Sequence, residues 1–225
     1  MIDPTAVAER LVVVQATLSA AAAAAGHEPP RILAVTKAFG RDAVDAAVSA
    51  GLTDVGESYA QECIEKFVGD ETTPAVHFIG GLQRNKIRKL AAIVDVWQSV
   101  DRLEVAAEIA KRAPGASIMV QVDLSNEPTK GGCAPAAAPD LVLQAQDLGL
   151  EVVGLMGIAP LDVPEAARPG FSRLRSLVDT LGLTECSMGM SSDLEIAVEE
   201  GSTMVRVGTG LFGPRPLRAK PRPTS

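Results

Sequence analysis

Three short segments of this chain carry residues that could do chemistry. The first, Ile32-Leu33-Ala34-Val35-Thr36-Lys37, ends an apolar run on a lysine. An amine at the end of a buried strand is partly desolvated, which lowers its pKa and makes it a nucleophile towards aldehydes. Alone, the segment reads more simply as a surface lysine opening a loop. The second, Cys186-Ser187-Met188-Gly189-Met190-Ser191-Ser192-Asp193, takes a strand end through a glycine turn into a helix start, with hydroxyls on both sides. Backbone N–H groups and the helix dipole favour a phosphate there, although most such serines only cap helices. The third, Val205-Arg206-Val207-Gly208-Thr209-Gly210, joins glycines that let amides approach an anion to the Thr209 hydroxyl and the fixed charge of Arg206. Each segment is a weak signal by itself.

Positioning them requires strands. Short apolar runs read as strands at Ile32–Thr36, Leu52–Val55, Val76–Ile79, Val94–Gln98, Ser117–Val122, Val152–Met156, Glu185–Ser187 and Met204–Val207. Helical stretches lie between them. Asp3-Pro4 is a helix start, Val7, Leu11, Val14 and Leu18 mark one face, and Gly26 with Pro29-Pro30 ends it. Ser58 with Gln61, Asp101 with Glu104 and Ser192 with Glu195 have capping-box spacing, and Gly51, Gly149, Gly182 and Gly201 sit where helices should stop. A later helix is expected to begin near Pro169, with Phe171, Leu174, Val178 and Leu181 inward.

Eight strands alternating with helices over 225 residues predict an α/β protein, a single-domain (β/α)8 TIM barrel with an N-terminal helix. A doubly wound open sheet is the competitor, because periodicity does not reveal closure. In the barrel the lysine ends strand one and the other two segments follow strands seven and eight. Those are the places where this fold puts reactive groups and a phosphate site. The barrel is expected over residues 1–213, with residues 214–225 a solvated, disordered tail in which Arg215, Arg218, Lys220 and Arg222 alternate with prolines.

Composition narrows the function. The chain is 47% hydrophobic but only 3% aromatic, with 28 acidic against 21 basic residues and a net charge of −7. A phosphate-backbone binder wants a basic face, so no nucleic-acid partner is expected. Cys63, Cys133 and Cys186 are odd in number and lack metal-type spacing, which suits a reducing cytoplasm. The N-terminus lacks the basic and apolar regions of a signal peptide, and Ala20–Ala25 is too short to span a membrane. A soluble, cytoplasmic protein is the expectation.

From Ile32 to Gly213 the chain resembles the pyridoxal-phosphate homeostasis protein family, a single-barrel relative of the N-terminal domain of alanine racemase. The matching stretches are Ala34–Lys37, Val55-Gly56-Glu57, His77-Phe78-Ile79-Gly80 with Leu82-Gln83 and Asn85-Lys86, Ser99-Val100-Asp101, Gly154-Leu155-Met156, Ser187–Ser191, and Val205–Thr209 with Phe212-Gly213. The resemblance implies pyridoxal 5′-phosphate (PLP) held as a Schiff base on Lys37. It places Ser187, Gly208 and Thr209 on the phosphate and Arg206 near the pyridine nitrogen, where a cation disfavours a protonated ring and makes a poor electron sink. Met188 and Met190 line the apolar edge of the cofactor, or equally fill core gaps. The sequence departs from the family at Ser58-Tyr59, where Asn-Arg is usual, so Ser58 stands in for a cofactor-contacting asparagine. It departs again at Gly81, usually bulkier, and at Gly132-Cys133.

The function implied is intracellular PLP homeostasis or carriage, with apo PLP-dependent enzymes as recipients, a monomeric state and no robust catalysis. A low-activity amino-acid racemase is the alternative. It needs a proton-transfer group on each face of the cofactor, and Tyr59, or more weakly Cys133, would have to join Lys37. A Schiff-base aldolase barrel is a third class, but it gives no reason for Arg206. His77 reads as a satisfied core histidine, Trp97 as packing near the barrel mouth, and Asn85 and Lys86 as a partner surface.

Overall fold

The computed structural model describes residues 1–69, 74–125, 131–160 and 164–215. Helix α1 (Pro4–Ala25) leads into eight strands: β1 (Arg31–Val35), β2 (Asp54–Glu57), β3 (Ala75–Phe78), β4 (Val96–Val100), β5 (Ser117–Asp123), β6 (Glu151–Ile158), β7 (Glu185–Ser187) and β8 (Met204–Val207). Helices α2 (Arg41–Ser49), α3 (Ala60–Phe67), α4 (Arg84–Leu90), α5 (Leu103–Arg112), α6 (Ala138–Asp147), α7 (Arg168–Thr180) and α8 (Leu194–Glu199) fill the connections, and α9 (Thr209–Phe212) follows β8. Every neighbouring pair is parallel, and β8 closes on β1 with Ile32 opposite Val205 and Ala34 opposite Val207. Closure excludes the open sheet. Beyond Arg215 the expected tail lies outside the described residues.

The strands alternate between two cores, as a period of two requires. One set of side chains, including Ile32, Ala34, Val55, Ile118, Val120 and Val205, packs outward against the helices. The other set points into the barrel, where Leu33, Met119, Met156 and Met204 form a small separate cluster. Trp97 belongs to the outer layer, fully buried with its ring centroid 6.4 Å from that of Phe78, and so lies away from the mouth where packing was expected.

Helix α1 begins as its sequence signals: Asp3 accepts from the Thr5 amide at 3.0 Å, and Gly26 ends the helix in the left-handed region. By length and composition it could cross a membrane, which Ala20–Ala25 alone could not suggest. Its apolar stripe is already engaged: Val7, Leu11, Val14, Leu18 and Ala22 are buried against the body of the barrel. In α7 Phe171, Leu174 and Val178 are buried as expected, while Leu181 is only half-buried.

The three capping boxes do not form. The residues flanking the helix starts are Tyr59, Arg102 and Asp193, none with a side-chain cap. Ser58, Asp101 and Ser192 lie one residue earlier, in strand-to-helix turns with other demands on them. Asp101 pairs with Arg102, and Asp193 turns back to accept from the Met190 amide.

The turn after β3 needs a glycine for space. A Cβ on Gly80 would stand 2.0 Å from the Ser58 carbonyl oxygen, whereas one on Gly81 would meet nothing within 4 Å. Gly80→Ala is therefore expected to destabilise the protein by about 2–3 kcal/mol through overpacking against backbone, while Gly81→Ala stays within about 0.5 kcal/mol of wild type. Urea unfolding of the two variants side by side measures the difference. Equal midpoints would contradict it.

Candidate functional site

The C-terminal mouth of the barrel holds a cavity of about 100 Å³, partly open to solvent. Its wall is apolar, from Val35, Ile79, Met156, Ile158 and Met190. Its polar atoms come from Lys37, Ser191, Arg206, Gly208, Thr209 and Arg215. An apolar cleft with a few convergent polar groups at this end of this fold is where a small ligand binds.

Lys37 reaches the cavity because of the backbone around it. β1 ends at Val35, and Ala38 is the one non-glycine residue with positive φ (68°) among the described residues. Such a conformation persists only when the surroundings hold it. Here the Ala38 amide donates to Glu62 Oε2 at 2.8 Å, and the Thr36 amide donates to the Gly56 carbonyl at 3.1 Å. Burial lowers the Lys37 pKa below the ordinary lysine value. The positive charges of Arg215 and Arg206 lower it further, and Glu57 partly opposes them. The result is an amine that gives up its proton more readily than a surface lysine, as a nucleophile for aldehydes must.

The opposite side of the cavity gathers hydroxyls and backbone amides. Ser191 and Gly210 bring two loops together: a Cβ on Gly210 would lie 3.8 Å from Ser191 Oγ. At the start of α9 the Leu211 and Phe212 amides donate to the Gly208 carbonyl at 2.9 and 3.0 Å, and the Thr209 and Gly210 amides before them precede the first intrahelical bond. Gly189 makes the β7–α8 turn possible, with φ of 95° and no room for a Cβ, which would stand 2.5 Å from that of Ala197.

Arg206 forms the floor. Its guanidinium is buried and, among the described residues, meets only neutral acceptors: Ser187 O at 2.7 Å and Ser187 Oγ at 2.9 Å from Nη1, and Gly157 O at 2.7 Å from Nη2. Burial without a contacting carboxylate pulls its pKa down to about 10.

The residues singled out from sequence divide into two groups. Lys37, Arg206, Gly208 and Thr209 line one cavity. Ser187, Met188 and Ser58 do not. Ser187 is fully buried beneath Arg206, donating to Gln98 Oε1 at 2.8 Å, because the last residue of β7 faces the barrel axis. Met188 follows it on the opposite face, buried in the outer core 3.7 Å from Cys186 Sγ, so the gap-filling reading fits it and Met190 takes the cavity wall. Ser58 is half-buried at the turn packed on Gly80. Of the two racemase candidates, Tyr59 is 42% exposed and off the cavity wall. Cys133 is also off it, and burial pushes its thiol up to about 11, a poor proton acceptor near neutrality.

Ser191 and Arg215 are cavity residues that sequence reading left out of the site. Ser191 stood inside the highlighted turn, but which of its hydroxyls faced the mouth depended on the pleat. Arg215 looked like the first cation of a solvated tail, yet it lies beside Lys37. Arg215→Ala is expected to move the deprotonation of Lys37 to higher pH, since a nearby cation is removed. The pH profile for capture of pyridoxal, which lacks the phosphate, reads the amine separately from anion binding. An unchanged profile would show that Arg215 does not act on Lys37.

A parallel barrel with a lysine after its first strand and glycine turns after its last two is the architecture of a known class. The family described as "Alanine racemase, N-terminal domain" matches residues 10–216. The pyridoxal phosphate homeostasis protein of Pseudomonas aeruginosa is 41% identical over 220 residues, covering 93% of this chain and 96% of that one. The solved structure of PipY from Synechococcus elongatus without PLP has a TM-score of 0.82 at 34% identity, covering 92% of this chain and 100% of that one. The structure of PipY with PLP bound has a TM-score of 0.79 at 32% identity with the same coverage. This chain belongs to the pyridoxal phosphate homeostasis protein family.

Proposed function

We propose that this protein binds PLP at the mouth of its barrel, with Lys37 as the covalent anchor, and serves as a cytoplasmic carrier of the cofactor, not as an efficient catalyst. The donor set suits each part of the molecule. Ser191, Gly208, Thr209 and Arg215 offer hydroxyls, amides and a charge to the phosphate, and the apolar wall accepts the ring faces. Arg206 is a donor only, so it suits an unprotonated ring nitrogen. Bound PLP supplies an aldehyde that condenses reversibly with an amine. The observation that carries the reading is the desolvated Lys37 amine facing a buried arginine with no carboxylate partner.

Carriage follows from what the site lacks as well as what it has. Tyr59 stands outside the cavity and Cys133 holds its proton, so neither described racemase candidate supplies a second base. A carrier needs only reversible capture and shielding from solvent amines. Apo PLP-dependent enzymes are the recipients this reading implies, and a single barrel with its own complete site has no need of a partner subunit.

An absorption spectrum of the purified protein with and without borohydride, followed by peptide mapping, tests the anchor. Yellow colour bleached by borohydride, with a pyridoxyl group on the Lys37 peptide, is the expected result. A protein that stays colourless after addition of PLP would end the reading. Transfer is tested by incubating loaded protein with an apo-aminotransferase. Reactivation no faster than spontaneous release allows would leave binding in place and remove delivery.

A further inference from the structure

The interior of a barrel of this type is ordinarily filled by branched apolar side chains. Here Leu33, Met119, Met156 and Met204, with Ile79, Val96, Val153 and Ile158 packed on them, fill one part, and another part is polar. Asp54 at the start of β2, His77 on β3, Gln98 on β4, Ser187 on β7 and Arg206 on β8 are all buried and bonded in series. His77 Nε2 lies 3.0 Å from Asp54 Oδ1, Gln98 Nε2 lies 2.7 Å from His77 Nδ1, Ser187 Oγ donates to Gln98 Oε1 at 2.8 Å, and Arg206 Nη1 donates to Ser187 Oγ at 2.9 Å. The series runs from the N-terminal end of the barrel to the floor of the cavity.

Its direction is fixed by chemistry. A carboxylate only accepts, so the neutral His77 ring that fits Asp54 carries its hydrogen on Nε2 and presents Nδ1 as an acceptor. Nδ1 then takes one amide hydrogen of Gln98, and Met204 Sδ, 3.2 Å away, takes the other. This turns the Gln98 oxygen towards Ser187, which spends its hydroxyl hydrogen there and leaves its lone pairs for Arg206. Asp54 is in turn anchored by Thr53 Oγ1 at 2.6 Å and by Arg31 Nη1 at 3.3 Å. A histidine two residues removed from the mouth thereby determines what the cavity-floor guanidinium bonds to. Apolar residues of similar size would fill this volume without the desolvation penalty. A fully satisfied polar series instead specifies one arrangement.

We infer that His77 is a positioning residue that, through Gln98 and Ser187, fixes the orientation of Arg206 and with it the environment of the bound ring. The inference rests on the PLP reading above. Three variants isolate it. Gln98→Met cuts the series at a position already packed on methionine. His77→Gln keeps a donor near the place of Nε2 for Asp54 but removes the acceptor for Gln98. His77→Asn keeps an acceptor near the place of Nδ1. Three readouts apply: the ¹⁵N resonances of the Arg206 side chain in unloaded protein, assigned by loss in Arg206→Lys, the absorption band of PLP and its dissociation constant.

Gln98→Met and His77→Gln are expected to shift the Arg206 resonances, displace the absorption band and weaken PLP binding about tenfold, the scale of one buried hydrogen bond. His77→Asn is expected to stay near wild type in all three. If Gln98→Met does not fold, as judged by circular dichroism, the two histidine variants decide. Folded variants with wild-type Arg206 resonances and an unmoved band would overturn the inference. Wild-type protein that binds no PLP would instead overturn the proposed function, and the Arg206 resonances would still decide the positioning role.

Discussion

Lys37→Met is expected to abolish borohydride-trapped pyridoxyl labelling and to weaken retention of PLP by at least about 100-fold, equivalent to ~2.7 kcal/mol. It is also expected to leave the unloaded protein no less stable. Methionine keeps most of the aliphatic stem against the cavity wall and removes an amine that burial and two arginines disfavour in its charged form. The sign follows from linkage. The folded-state pKa of Lys37 lies below its unfolded value, so the penalty is fully present below the folded pKa and disappears as pH rises past the ordinary lysine value. Wild type should therefore gain on Lys37→Met between neutral pH and about pH 10.5, the reference lysine value. Urea titrations at pH 7 and pH 10 read this gain. A variant much less stable than wild type at both would mean that Lys37 is a structural group.

The second large effect lies behind the site, in the layer between sheet and helices. Glu57 and Lys66 form a buried ion pair with Nζ 2.6 Å from Oε1, and Thr36 ties it to the end of β1: its hydroxyl donates to Glu57 at 2.6 Å and its carbonyl accepts from Lys66 at 2.8 Å. Among the described residues, Glu57 Oε2 is buried with no hydrogen-bond partner. Burial pushes the Glu57 carboxyl above the usual range, with Lys66 and Thr36 opposing it. Removing one partner leaves an uncompensated buried charge, so Lys66→Met should cost about 3–5 kcal/mol, whereas Glu57→Gln with Lys66→Met should recover most of that loss.

The pH dependence of this loss separates charge from packing. With its counter-ion gone, the folded-state pKa of Glu57 rises further. A carboxyl whose folded pKa exceeds its unfolded value favours folding while protonated and loses that contribution as pH rises through the folded pKa. The deficit of Lys66→Met is therefore expected to be smaller at pH 5 than at pH 8. Equal deficits at both would assign the whole effect to lost packing. Because the Thr36 carbonyl also loses a partner, the Lys37 turn should loosen with it, which slower capture of pyridoxal by the single variant would report.

Much of this protein was legible in its sequence because the signals were local. Short apolar runs marked eight strands, and Asp3-Pro4 with Gly26 marked the first helix. A lysine after strand one and glycine turns after strands seven and eight marked the mouth. Those features depend on neighbours within a few residues, which periodicity and turn chemistry describe. What periodicity left open shares the opposite property. Whether the sheet closed depended on β1 meeting β8 across the whole chain. Whether Ser187 or Ser191 faced the cavity depended on the pleat of a three-residue strand, where a one-residue change of phase moves a side chain to the other face.

Arg215 entered the site, and Ser58 left its helix cap, because tertiary neighbours outbid local preference. The series from Asp54 to Arg206 joins five residues on five strands, with no sequence spacing to announce it. Sequence alone determined which residues could react and roughly where the chain would place them. Only the closed barrel decided which of them share a cavity, since burial, charge and hydrogen-bond direction at Lys37 and Arg206 are set by groups distant in the chain.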